Sequence, residues 1–107
     1  MTYVIVGGDL RSIELARLLV LDKNNVSVIG FTKDMLPEGV NVTDSVLESD
    51  IVVLPMVVSY DDETINAPYS DTSIKITDIL DQIKGQMLIL GKASNSVMDN
   101  IKNRGIR

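Results

Sequence analysis

Short apolar runs alternate with helically spaced apolar residues along this chain. Val4, Ile5 and Val6 form a β-branched run that meets Gly7–Gly8, and a helical pattern starts at once. Leu10, Ile13, Ala16 and Val20 recur at helix spacing, with Leu15, Leu18 and Leu19 widening the stripe and Glu14 and Arg17 on its polar side. Asp22 to Asn25 are turn formers, and Val26 to Ile29 is a second strand closed by Gly30. Phe31 to Asn41 reads as a loop punctuated by Pro37 and Gly39. A short helix is expected from about Asp44 to Glu48, capped by Thr43 or Asp44. Asp50 to Pro55 is the clearest buried strand, and Met56 to Ser59 continues apolar.

From Tyr60 to Ser73 the chain turns acidic and polar around a β-like Thr64–Ile65. The plain reading is a solvated excursion with a small hairpin; the sharper one is a flap over a site. Ile74 to Ile83 returns to helical spacing, with Ser73 or Thr77 as cap and Lys84–Gly85 as stop. Gln86 to Leu90 is the next strand, and Ser94–Asn95 opens a last helix through Val97, Met98 and Ile101. This order predicts a single α/β domain over residues 1–107. Its form is a three-layer Rossmann-like or flavodoxin-like parallel sheet of four to five strands with helices on both faces. Asn103–Arg104–Gly105–Ile106 reads as a helix end followed by a strand entrance. The expectation is therefore the amino-terminal part of a longer protein.

Composition narrows the chemistry. Aromatic residues are only 4% against 45% apolar, so the core must be aliphatic, as in helix-covered parallel sheets. The five methionines read as gap fillers in that core. With neither Cys nor His, disulfides, thiol nucleophiles, His-based triads and the usual zinc centres are excluded. Ser59 and Ser94 thus lack a His partner. A net charge of −5 argues against nucleic acid and against anionic membrane surfaces. There is no apolar run of the ~20 residues that a membrane span needs, nor a signal-peptide pattern, which points to a soluble cytoplasmic protein.

Ligands of such sheets sit outside the carboxyl ends of the strands, so Gly7, Gly8 and Asp9 are the first candidates. A dinucleotide fingerprint needs Gly-x-Gly-x-x-Gly and an acid at the end of the second strand. Here the third glycine is missing and Gly30 stands where the acid belongs. Asp9 also places a carboxylate where a pyrophosphate would lie, so no cofactor is expected in this domain. Asp9 reads first as a helix cap. Arg11 serves equally as a surface residue or as a bidentate partner for a carboxylate. Ser94 is an N-cap candidate that, with Asn95, could bond a small polar ligand, and Lys92 could add a positive charge. Asp61 and Asp62 lack the further oxygen ligands that a hard metal requires, so no metal is expected.

Taken together, Val-Ile-Val-Gly-Gly-Asp-x-Arg at the start, Gly30–Phe31, Asp50 to Pro55 and Ser94–Asn95 resemble the amino-terminal domain of the dipicolinate synthase A-subunit. Lys92–Ala93 and Met56–Val57–Val58 depart from the pattern expected there. The resemblance implies a two-domain oxidoreductase of spore-forming bacteria that oxidises a dihydrodipicolinate-type precursor to dipicolinate in the mother cell. It implies NADP on a second, carboxyl-terminal Rossmann domain and a flavoprotein-like dipicolinate synthase B-subunit as partner, and leaves room for a homo-oligomer. A dicarboxylate would lie in the interdomain cleft, with Arg11 pairing a carboxylate and Ser94–Asn95 adding hydrogen bonds. This chain alone should be inactive. The alternative is a non-catalytic regulatory or interaction module working through the acidic 60–73 loop. A receiver-like domain is disfavoured, since Leu54–Pro55 supplies no phosphoacceptor acid.

Overall fold

The computed structural model describes residues 1–106. Its five strands are β1 (Thr2–Val6), β2 (Asn25–Ile29), β3 (Val40–Val42), β4 (Ile51–Val53) and β5 (Met87–Ile89). All adjacent pairs are parallel, in the order β3-β2-β1-β4-β5. Helix α1 (Leu10–Leu21) covers one face; α2 (Ile76–Leu80) and α3 (Asn95–Asn103) cover the other. This is the Rossmann-like three-layer arrangement expected from the sequence.

Strand alternation assigns the faces. Ile5 on β1 and Val26 and Val28 on β2 pack with Ala16 of α1, while Val4, Val6, Val52 and Leu88 point to the opposite side. There they meet Ile76 and Ile79 of α2 and Val97 and Ile101 of α3. Helix α3 ends as read from the sequence. The Gly105 N–H donates to the Lys102 carbonyl and the Ile106 N–H to the Ile101 carbonyl, a paired C-terminal stop built on a glycine at φ +73°.

Several expectations fail locally. The segment from Asp44 to Glu48 is not a helix, and the stretch read as a loop up to Asn41 contains the start of β3. In the first case, Gln82 Oε1 accepts from the Val46 N–H (2.7 Å) and the Ser45 hydroxyl (3.1 Å), and Gln86 Nε2 donates to the Val46 carbonyl (2.9 Å). The fully buried Val46 is thus pinned by distant side chains, and five residues are too few to nucleate a helix against that. In the second, β3 is a three-residue edge strand with only Val40 buried, too short to leave a pattern. Helix α2 is also shorter than the 74–83 stripe. Ile74 and Ile76 are drawn into pairing with the preceding segment, the Ile65 N–H donating to the Ile74 carbonyl and the Ile76 N–H to the Glu63 carbonyl. Neither Ser73 nor Thr77 caps it; Lys75 stands at the cap position without a side-chain bond.

Candidate functional site

The chain runs outward from β1 through β2 and β3, then returns to start β4 on the other side of β1. Loops after β1 and β4 therefore leave towards opposite faces, and a crevice opens between them at the carboxyl edge of the sheet. It encloses about 310 Å³. Leu54 and Pro55 form its base, Leu15, Met56 and Ile89 its apolar walls, and Asp9, Arg11, Ser12 and Asn66 its polar positions.

Asp9 is the N-cap of α1, and its carboxylate accepts from the Arg11 N–H at 2.9 Å. The same carboxylate grips the Arg11 side chain from Nε (3.1 and 3.2 Å) and Nη2 (2.8 Å). Hydrogen bonding to Arg11 holds the Asp9 carboxyl below the usual carboxylate range, and Asp9 in turn raises the Arg11 guanidinium. Only Nη1 reaches elsewhere, to Met56 Sδ at 3.4 Å across the crevice. One edge of the guanidinium is thus fixed by the cap, and the Nη1 edge is held only by the weakly accepting Met56 thioether, which a stronger incoming acceptor can displace.

The place where a pyrophosphate would rest is filled by the protein itself. The Gly8 N–H donates to the Asn66 carbonyl at 2.8 Å, and Asn66 is tied down by its own N–H to the Val58 carbonyl and its Nδ2 to the Val57 carbonyl. A Cβ on Gly30 would meet Ile74 Cδ1 at 2.9 Å and Ala67 Cβ at 3.3 Å, so no acid fits where a ribose-binding carboxylate belongs. The residues present do not fit a dinucleotide at this turn. Among the described residues, no group of three or more acidic side chains is arranged to hold a metal ion, and no helix is long and apolar enough to cross a membrane.

The family model for the N-terminal domain of the dipicolinate synthase A-subunit matches residues 2–107. The chain belongs to that family. Solved structures that share its fold include two from Bacillus. The A chain of dipicolinate synthase from Bacillus subtilis superposes with a TM-score of 0.83 at 17% identity, over 100% of this chain and 38% of that one. The dipicolinate synthase A-subunit from Bacillus halodurans gives 0.82 at 22% identity, over 98% of this chain and 38% of that one. The chain therefore spans well under half the length of these proteins. No curated protein sequence gives a match.

Within this domain, Gly8, Asp9 and Arg11 line the crevice, and Gly7 lies beneath the 57–75 segment beside it. Ser94 and Asn95 are not among its lining residues. Ser94 caps α3 through the Val97 N–H (3.2 Å), and its hydroxyl donates to Asp62 at 2.7 Å; Asn95 is exposed. Neither Asn66 nor Met56 was a site candidate from the sequence; Met56 was read only as part of an apolar stretch after the strand. No spacing signals Asn66, because it reaches Gly8 only through the long-range pairing of Val57 and Val58 with Lys92.

The acidic segment is exposed at its tip and anchored at its base. Its tip, Tyr60 to Glu63, is exposed, while Ile65 is buried and descends over Gly7, with Thr64 and Lys75 bridging antiparallel. Asp61 organises the tip, accepting from the Glu63 and Thr64 N–H groups (2.9 and 2.8 Å), the Thr64 hydroxyl (2.8 Å) and the Ser59 hydroxyl (3.0 Å). The Thr64 and Glu63 backbone bonds hold its carboxyl far below the usual range. A depressed folded-state pKa contributes stability that is complete above the unfolded value of about 3.9 and is lost as pH falls through the folded value. Urea titrations should show the stability difference between wild type and Asp61→Asn widest above about pH 4 and shrinking steadily below it. A difference that stays constant from about pH 6 to about pH 2.5 would remove this role.

Proposed function

We propose that this chain is the substrate-side domain of a dipicolinate-synthase-type oxidoreductase, holding a dihydrodipicolinate-type dicarboxylate while it is oxidised to dipicolinate. NADP belongs, in this reading, to a second, carboxyl-terminal domain, and the dicarboxylate lies in the cleft between the two. The setting is the mother-cell cytoplasm of a sporulating bacterium, with the dipicolinate synthase B-subunit as the partner, and the domain by itself turns nothing over.

The observation that carries the reading is the crevice at the switch point of the sheet. Its nucleotide cradle is occupied by the Asn66 carbonyl, and the Nη1 edge of Arg11, bonded only to the Met56 thioether, is aimed across an apolar wall. A ring with carboxylate substituents matches that pairing of apolar surface and one guanidinium edge. Gly7 and Gly8 shape the turn, Asp9 holds Arg11, and Ser94 and Asn95 serve as outlying polar positions on the same carboxyl edge of the sheet.

The test is calorimetric titration of the complete protein with dipicolinate. A charge-assisted hydrogen bond contributes about 1.5–3 kcal/mol, so Arg11→Ala is expected to weaken binding by roughly 10- to 100-fold. Ser94→Ala should change it by less than about threefold, since Ser94 is already engaged by Asp62. An Arg11→Ala protein that binds dipicolinate as wild type does would remove the site.

A further inference from the structure

Among the described residues, Asp9 and Arg11 are the only charged ones that line the crevice, and they are paired to each other. Their charges cancel, so the crevice holds no surplus positive charge to balance a dianion. Its polar side chains differ in what they have left to give. The Asn66 amide is committed, its Nδ2 donating to the Val57 carbonyl at 3.1 Å. Arg11 Nη1 touches only the Met56 thioether, a weak acceptor. Ser12, the next residue of α1, has its hydroxyl directly over Gly8, where a Cβ built on Gly8 would fall 2.1 Å from Ser12 Oγ. That hydroxyl bonds to no described residue and is not sealed from solvent. It does not even bond back to the preceding turn of backbone, the usual alternative for a helical serine.

We infer that the crevice is a subsite for a single carboxylate, to which Arg11 Nη1 and the Ser12 hydroxyl each donate one hydrogen bond, and that a second carboxylate on the same ring projects out of it. The inference rests on the proposed function for the nature of the ring, but the number of carboxylates held here follows from the crevice itself. Two donors on adjacent residues of one helical turn suit two oxygens on one carbon. The incoming carboxylate displaces a thioether from Arg11, which costs little, and meets a hydroxyl with no bond to break. The ring then lies on Leu15, Met56 and Ile89. A second carboxylate drawn into the same space would be stripped of water with no cation facing it, beside the Asp9 carboxylate. Ser12 is thus a binding residue, and preference for a dicarboxylate over a monocarboxylate does not originate in this crevice.

The test titrates the complete protein with dipicolinate and with picolinate, the same ring bearing one carboxylate. Ser12→Ala is expected to weaken binding of both acids by about tenfold, the loss of one hydrogen bond to a charged group. The factors for the two acids should agree within about threefold, and the same agreement should hold for Arg11→Ala, because each residue meets one carboxylate only. A Ser12→Ala protein that binds both acids as wild type does overturns the inference. So does a loss seen with dipicolinate and absent with picolinate, which would place the second carboxylate on these residues. The two readings fail separately. Dipicolinate binding that depends on Arg11 but not on Ser12 overturns the inference and leaves the proposed function standing. Picolinate binding that depends on both residues, in a protein that does not bind dipicolinate, supports the inference and removes the proposed function.

Discussion

Gly7→Ala is expected to destabilise the fold by about 2–5 kcal/mol. Gly7 sits at φ +61°, a left-handed conformation that raises the energy of an L-residue by about 1–2 kcal/mol. The added Cβ would also lie 2.7 Å from Ile65 Cγ2, 2.8 Å from the Asn66 carbonyl oxygen and 3.2 Å from Ala67 Cβ. The Ile65 side chain can shift; the Asn66 backbone cannot without breaking its bonds to Gly8 and Val58. Overpacking of that kind adds about 1–3 kcal/mol. Gly105 provides the control, at φ +73° with nothing within 4 Å of its Cβ position, so Gly105→Ala bears the conformational effect alone. Urea midpoints with unchanged slope measure both. Equal losses at the two positions would mean that the 57–75 segment does not press on Gly7.

The contrast between those two glycines also shows where the sequence was informative. Local patterns carried the strand–helix order, the α1 cap at Asp9 and the stop at Gly105, because each depends on residues within one or two turns of chain. Gly30 in place of an acid and the missing third glycine pointed away from a dinucleotide. The physical reason was not legible, since the carbonyl occupying the turn comes from Asn66, far along the chain from Gly8. The false helix at 44–48 has the same origin. Its central backbone donor, the Val46 N–H, is taken by Gln82, which no window around Val46 contains. Arg11 and Asp9 were legible as candidates because both sit in the first turn of one helix. Met56, which meets Arg11 across the crevice, needed the sheet order to be known.

Ile76→Ala is expected to remove about 2–5 kcal/mol, the range for deleting a buried Ile side chain, and to loosen the crevice from a distance. Helix α2 has five residues and no side-chain cap, far below the ~12–15 at which an isolated helix becomes even marginal. It persists because Ile76, Ile79 and Leu80 are buried against the core shared by β1, β4 and α3. A propensity change at its exposed position, Thr77→Ala, should therefore move stability by no more than about 0.5 kcal/mol. Ile76 is also a tie point, since its N–H donates to the Glu63 carbonyl at 2.9 Å. From there the chain leads through Ile65, paired to Ile74, to the Asn66 carbonyl on Gly8. Loosening Ile76 should let that carbonyl leave the turn, so the Gly8 amide should exchange with solvent faster in Ile76→Ala by more than the global loss of stability accounts for. Exchange at Gly8 that merely follows global stability would mean that α2 supports the core but not the crevice.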